Sequence, residues 1–388
     1  MFEWPLINNN ITQEDKEDLV SFILESDRFT NGPKVREFEE VWSKWLGVKY
    51  SVMVNSGASA NYISMAITRE LKGNTGEIIV PPLGWVSDIS SIINTGFVPV
   101  FVDVDKKNMA ITYDNIKAAI NKNTKAIVLI HCLGFNALNQ KIIDLAKEKN
   151  LLLIEDCCES HGAVFEDNKV GTFGDMSCFS FYFGHHITTI EGGIVCTDDV
   201  DIYELAKLFR SHGMTREVSQ KTHEKYYESS LNPLFTFAVA GYNMRSTELN
   251  AVLGLNQIKR LDYNISRRKE NLKIWLANLD KELYYADFDS EGNSNFALPL
   301  ILKEANGMLL EKICKVLFQN KVEYRLGTAG GGNQARQPYL KKYPFKKIGN
   351  LKNTDFIHEN SLYIGNHTEL TKRQIKSLCK KLNEVLNV

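Results

Sequence analysis

Five short, β-branched apolar runs, at 51–54, 77–80, 98–102, 126–130 and 151–154, alternate with stretches of helical period such as 58–71 and 140–149. This alternation constrains the fold more than any other feature of the chain. It implies an α/β protein whose mostly parallel sheet is covered by helices on both faces. Sheets of that kind place their ligands at the carboxyl ends of the strands. The turns that follow each apolar run are therefore where chemistry is expected.

The rest of the chain fits around this core. Thr12, with Glu14 and Asp15 behind it, reads as a capped helix start running to about Glu25. Asn31-Gly32-Pro33 forms a loop before an aromatic-rich helix at 35–46. The run 178–183 reads as a buried strand that breaks at Gly184, and 194–196 as the next strand. A polar segment, 211–233, reads as loop. One long helix is expected over 245–279, from the helical spacing of Leu249, Val252, Leu253, Leu255 and Ile258. Strands at 295–302 and 322–326 and helices at 308–319 and 371–386 complete the chain. Two domains are expected: 1–280, with an amino-terminal arm and a bridging helix, and a smaller α+β domain over 281–388.

Composition excludes several classes. The 388 residues carry 24% charged side chains and a formal net charge of −1, so no basic face is offered to nucleic acid or anionic membrane. Charge runs such as Lys341-Lys342 and Arg267-Arg268-Lys269 read as solvated faces. The first ten residues lack the basic and apolar regions of a signal peptide. The most apolar long stretch, 78–104, contains Asp88, Asn94, Asp103 and three prolines, which rules it out as a membrane span. Seven cysteines, an odd number without framework spacing, fit a reducing cytoplasm.

Three strand ends carry candidate chemistry. Asn55-Ser56-Gly57-Ala58-Ser59 leads from a strand into a helix, where free N–H groups and the helix dipole suit a phosphate; ordinary capping is the alternative. Asp156 closes a buried strand, as a helix cap, an ion-pair partner or a site carboxylate. Trp85 follows the strand at 77–80, as a rim aromatic or as a flat face for a ligand ring. The glycine-rich segment 330–339 (GGGNQARQPY) is either a plain loop or one that closes over substrate through Arg336.

The segment 177–193 (SCFSFYFGHHITTIEGG) resembles the cofactor loop of the sugar aminotransferase family that uses pyridoxal phosphate (PLP), the DegT/DnrJ/EryC-like enzymes of fold type I. The family pattern is roughly S-F-x-x-x-K-x-x-x-x-x-E-G-G, and its lysine forms a Schiff base with the cofactor. Counted from Ser180 and back from Gly193, the lysine position here is His185. The resemblance covers nearly the whole chain. It implies a seven-stranded, mostly parallel sheet and a homodimer with its active site at the subunit interface. Gly57, Ala58 and Ser180 would hold the cofactor phosphate, with Asn243 reaching across the dimer. Asp156, with Gly162 behind it, would keep the pyridine nitrogen protonated. Trp85 would stack on the ring, and Glu159 would sit near its phenolic oxygen.

Histidine cannot form a stable imine, so a site built on His185 cannot tether PLP there. It can hold pyridoxamine phosphate (PMP), and an imidazole titrating near 6.5 can move protons as base and then acid. His186 is expected to be structural. His185 together with Glu159 is similar to the 3-dehydratase branch of the family, which makes 3,6-dideoxysugars. That branch implies glutamate as amino donor and a nucleotide-linked 4-keto-6-deoxy sugar, a hexose or a heptose homologue, as substrate, with GDP as the expected nucleotide. Arg325 and Arg336 are candidate substrate contacts. A related CDP branch uses an iron-sulphur cluster, but no cysteine lies between Thr197 and Glu248, so neither a cluster nor another metal is expected. The 330–339 loop nevertheless looks closer to the CDP branch. Two other readings stand beside this one: an aminotransferase using Lys169 or Lys125, and a non-catalytic sugar-nucleotide-binding or regulatory protein.

Overall fold

The computed structural model describes residues 3–387; Met1 and Phe2 of the amino-terminal segment, and Val388, lie outside the described residues. Strands β1 (Tyr50–Val54), β2 (Glu77–Val80), β3 (Val98–Phe101), β4 (Thr124–Ile130) and β5 (Leu152–Asp156) alternate with helices. Those helices are α1 (Gln13–Glu25), α2 (Pro33–Leu46), α3 (Gly57–Lys72), α4 (Val86–Asn94), α5 (Tyr113–Ala119) and α6 (Gln140–Glu148). A small hairpin, β6 (Val164–Phe165) and β7 (Asn168–Lys169), precedes β8 (Met176–Ser180) and β9 (Gly193–Thr197). Helices α7 (Val200–Arg210), α8 (Gln220–Lys225), α9 (Glu248–Gln257) and α10 (Leu261–Asn278) follow. The remainder holds β10 (Ala297–Ile301), α11 (Gly307–Gln319), β11 (Tyr324–Leu326), β12 (Lys346–Lys347), α12 (Lys352–Asn360), β13 (Ser361–Gly365) and α13 (Lys372–Asn383).

The large sheet runs β1-β9-β8-β5-β4-β2-β3-β12, and β9 alone opposes the others. The ends of β1, β2, β5 and β8 therefore emerge at one edge. The sheet has eight strands rather than the seven expected, because β12 returns from the carboxyl-terminal part to pair with β3. Lys346 there meets the Glu77 carboxylate at 2.6 Å. A separate three-stranded sheet, β10-β13-β11, forms from the segments after residue 280. The long helix expected at 245–279 is two helices, interrupted by a tight turn at Ile258–Arg260. The polar 211–233 segment contains the short helix α8. The Arg267–Lys269 run is not wholly solvated, since Arg268 is buried. No helix among the described residues is long and apolar enough to cross a membrane.

Helix α2 forms the floor beneath the site. Pro33 occupies its first turn, where the missing N–H costs nothing. Its N-cap, Gly32, offers no side chain, and the Glu248 carboxylate of α9 accepts from the Lys34 and Val35 N–H groups instead, each at 3.0 Å. Glu39 on α2 accepts from the Met53 N–H at 2.7 Å and from Arg210 at 2.6 Å, which fixes the end of β1. Trp42 is fully buried, its ring 4.8 Å from Phe181, 5.1 Å from Phe179 and 5.7 Å from His161. Truncating it leaves a large cavity under the β8 loop. Trp42→Ala is expected to lower unfolding free energy by about 3–5 kcal/mol in chemical denaturation; a loss below about 1 kcal/mol would show that this floor bears little of the packing.

Candidate active site

The first element is an anion cradle. Ser56 caps α3, its hydroxyl accepting from the Ser59 N–H at 3.0 Å. The Gly57 and Ala58 N–H groups in that first turn have no acceptor among the described residues and point along the positive end of the helix. A Cβ on Gly57 would lie 2.6 Å from Ser180 Cβ, so glycine is what lets the β8 end and the α3 start meet. Gly193 is similarly constrained, since its Cβ would lie 2.4 Å from the Ser56 carbonyl.

A carboxylate lies beside the cradle. Asp156 ends β5 and is buried; it accepts from Asn61 Nδ2 and from the Cys158 N–H, each at 2.9 Å. Asn61 Nδ2 also reaches Asp88 at 3.0 Å. Burial, and then the Asp156 carboxylate, push the Asp88 carboxyl well above the usual range, so Asp88 holds the proton of this pair. Sequence reasoning missed Asp88 because an acid in the first turn of α4 looks like ordinary dipole compensation. Glu159 accepts from the Leu133 N–H at 2.7 Å, and burial raises its carboxyl to about 8. It is therefore mostly protonated at neutral pH and can donate a hydrogen bond.

The third element is the loop after β8. His185 closes a turn on the Tyr182 carbonyl at 3.0 Å, and its ring lies 5.2 Å from Phe296 and 5.9 Å from His161. Its Nδ1 is buried without a partner, which leaves Nε2 as the nitrogen open to the site. Burial and the Arg268 charge lower it to about 4, against the opposing pull of Asp156. This corrects the expectation of a ring titrating near 6.5: His185 is a free base throughout the neutral range. His186 is fully buried, and its Nε2 meets the Ser294 carbonyl at 3.1 Å.

Trp85 stands at the start of α4 with 58% of its surface exposed. The 330–339 loop packs on its segment: Leu83 bridges to Asn333, and the Gln334 N–H donates to the Pro82 carbonyl at 2.8 Å. Arg336, on this loop, is exposed. Its guanidinium is held by Asp355 and Glu359, each at 2.8 Å. Arg325 is exposed on β11 beside Glu323 and opposite Tyr363, a half-buried tyrosine raised by burial and by the Glu159 charge. Asn243 is exposed, on a segment lying against the end of β1. Neither candidate lysine is near. Lys169 donates to the Trp45 carbonyl at 2.7 Å, and Lys125 sits at the start of β4, the edge opposite Asp156.

Residues at this sheet edge fit PLP or PMP. The cradle suits its phosphate, Asp156 its pyridine nitrogen, and the exposed Trp85 its ring face. Fold and site together define a PLP-dependent enzyme of fold type I. The chain belongs to the DegT/DnrJ/EryC1/StrS aminotransferase family, which it matches over residues 10–383. It is 34% identical to GDP-4-keto-6-deoxy-D-mannose 3-dehydratase of Yersinia pseudotuberculosis, across 97% of this chain and 98% of that protein. It superposes with a TM-score of 0.92, at 30% identity, on Escherichia coli GDP-4-keto-6-deoxy-D-mannose-3-dehydratase with bound hydrated PLP, covering 98% of this chain and all of that one. A solved GDP-4-keto-6-deoxymannose-3-dehydratase with a trapped PLP-glutamate geminal diamine matches with the same score, identity and coverage.

The cradle gives a direct test. Gly57→Ala should push Ser180 aside and weaken PLP binding about tenfold or more, equivalent to ~1.4 kcal/mol, in a cofactor absorbance titration, with the fold retained. Unchanged affinity would place the phosphate elsewhere.

Proposed function

We propose that this chain removes the C3 hydroxyl of a nucleotide-linked 4-keto-6-deoxy sugar, with GDP as the nucleotide and PLP/PMP as the coenzyme. The observation that carries this reading is His185 at the place where relatives hold a cofactor lysine, with both alternative lysines directed elsewhere. The reaction is a reductive dehydration. Glutamate is oxidised to 2-oxoglutarate and ammonia, while the sugar's C3–O bond is replaced by C3–H. When bound, the coenzyme carries the amino group and accepts electrons into its protonated ring.

Each protein group has a task set by its environment. The Gly57 and Ala58 N–H groups and the Ser180 hydroxyl anchor the phosphate, with Asn243 of a second copy completing the site. Asp156 keeps the pyridine nitrogen protonated, and Asn61 and the Cys158 N–H hold it in place. Trp85 covers one ring face. Glu159, protonated at neutral pH, donates to the phenolic oxygen. His185 takes a proton at Nε2; the imidazolium so formed is a strong acid in this setting and gives the proton up to the departing C3 oxygen. The enzyme acts as a cytoplasmic homodimer in this reading. Exposed Tyr227, Leu231, Leu234, Phe235 and Phe237 support the dimer, and the free cysteines support the compartment. The division near residue 280 belongs to the same reading, supported by the separate β10-β13-β11 sheet.

Incubation with glutamate and GDP-4-keto-6-deoxymannose should release equal amounts of 2-oxoglutarate and ammonia, with loss of one oxygen from the sugar by mass spectrometry. His185→Asn should lower that rate by ~10²–10⁴-fold. An aminated sugar without ammonia would instead indicate a transaminase. The pH profile is a second check. Because the His185 base form persists down to about pH 4 and the Glu159 proton is lost through about 8, kcat/KM should stay level across neutral pH and fall on the alkaline side. Glu159→Gln, which donates at every pH, should abolish that fall; its persistence would remove Glu159 from the reaction.

A further inference from the structure

Arg268, on α10, is 6% exposed and has no carboxylate within ion-pair distance among the described residues. Burial alone draws its guanidinium down to about 10, and no acid offsets that effect. A buried cation without a counter-charge is costly to keep, and its Nε lacks an acceptor as well. Its two terminal nitrogens are used. Nη1 donates to the Phe296 carbonyl at 2.8 Å, and Nη2 to the His185 carbonyl at 3.3 Å. Asn366 in turn holds the Arg268 carbonyl at 3.2 Å.

The His185 imidazole is enclosed from several elements. Its own loop brings His186 and Tyr182, the end of β5 brings Asp156, the turn after β5 brings His161, and α10 brings Arg268. His161 is fully buried with neither ring nitrogen partnered, its ring 5.0 Å from that of His186. Among these groups Arg268 carries the positive charge and acts on the ring against the opposing pull of the Asp156 carboxylate. His161, His186 and the more distant His367 are all pulled down by burial first and by Arg268 among the charges.

We propose that Arg268 is a positioning residue for His185: it pins the His185 carbonyl and, left without an acid partner, keeps a positive charge beside the imidazole, which holds the ring as a neutral proton acceptor. This rests on the reading of His185 as the base. It gives the unneutralised charge a use. Once the ring has taken a proton, the same guanidinium favours passing that proton on, which is the second half of the task assigned to His185. A carboxylate next to Arg268 would cancel both effects, and none lies within ion-pair distance among the described residues.

The test is imidazole NMR on the full chain with labelled histidine, the His185 signal being assigned from its loss in His185→Asn. In the wild-type protein that signal should not titrate between about pH 5 and 8. In Arg268→Met or Arg268→Gln, whichever folds, its midpoint should rise by about one unit or more above the wild-type value, which brings the titration into the acid end of that window. A flat signal in a folded variant would overturn the proposal. So would a wild-type midpoint near 6.5, which can be read even if neither variant folds. The measurement needs no turnover. A chain that titrates as stated but yields no 2-oxoglutarate with the sugar nucleotide would sink the dehydratase reading and leave the charge effect standing.

Discussion

The site depends on close backbone contact at two glycines. Gly57 lets the start of α3 lie against Ser180, and Gly193 lets the chain leaving the cofactor loop pass the Ser56–Gly57 peptide. Any side chain at either position would separate the anion cradle from the loop that carries His185. The parallel sheet then does the rest. Because β1, β2, β5 and β8 run the same way, their ends bring N–H donors, an aromatic face, a carboxylate and an imidazole to one edge.

Burial sets the protonation states there, and it acts on acids and bases in opposite senses. It raises the Asp88 and Glu159 carboxyls, Glu159 to about 8 so that it is mostly protonated at neutral pH, and it lowers His185 to about 4, so the imidazole is not. Asp156 beside Asp88 is held by Asn61 and the Cys158 N–H. The edge thus presents one working anion, one neutral donor and one neutral acceptor. Proton transfer with little net charge suits a site that must also receive a sugar nucleotide bearing its own negative charge.

Much of this was legible in the chain. Runs of β-branched residues followed by small or acidic residues marked the strand ends, and the S-F-x-x-x-H…E-G-G spacing marked the cofactor loop. What escaped did so for identifiable reasons. Arg268 sits in a basic run that looks solvated, and only the packing of α10 against the His185 loop buries it. Two lysines carry no strand pattern, so β12 could not be seen before its pairing with β3. The break at Ile258–Arg260 has no proline or glycine to announce it. Arg336 stood out as the cation of a glycine-rich loop, and its pairing with two acids of α12 has no sequence signal. The lowered basicity of His185 depends on neighbours distant in sequence.

Histidine in place of a tethering lysine makes the coenzyme a noncovalent guest, and that is the central claim. Borohydride reduction of the PLP-loaded protein, followed by intact mass and peptide mapping, addresses it directly, with His185→Lys as a positive control. The account predicts an unmodified wild-type chain and a reduced adduct at residue 185 in the control. A reduced adduct on any lysine of the wild-type chain, Lys125 and Lys169 included, would contradict it.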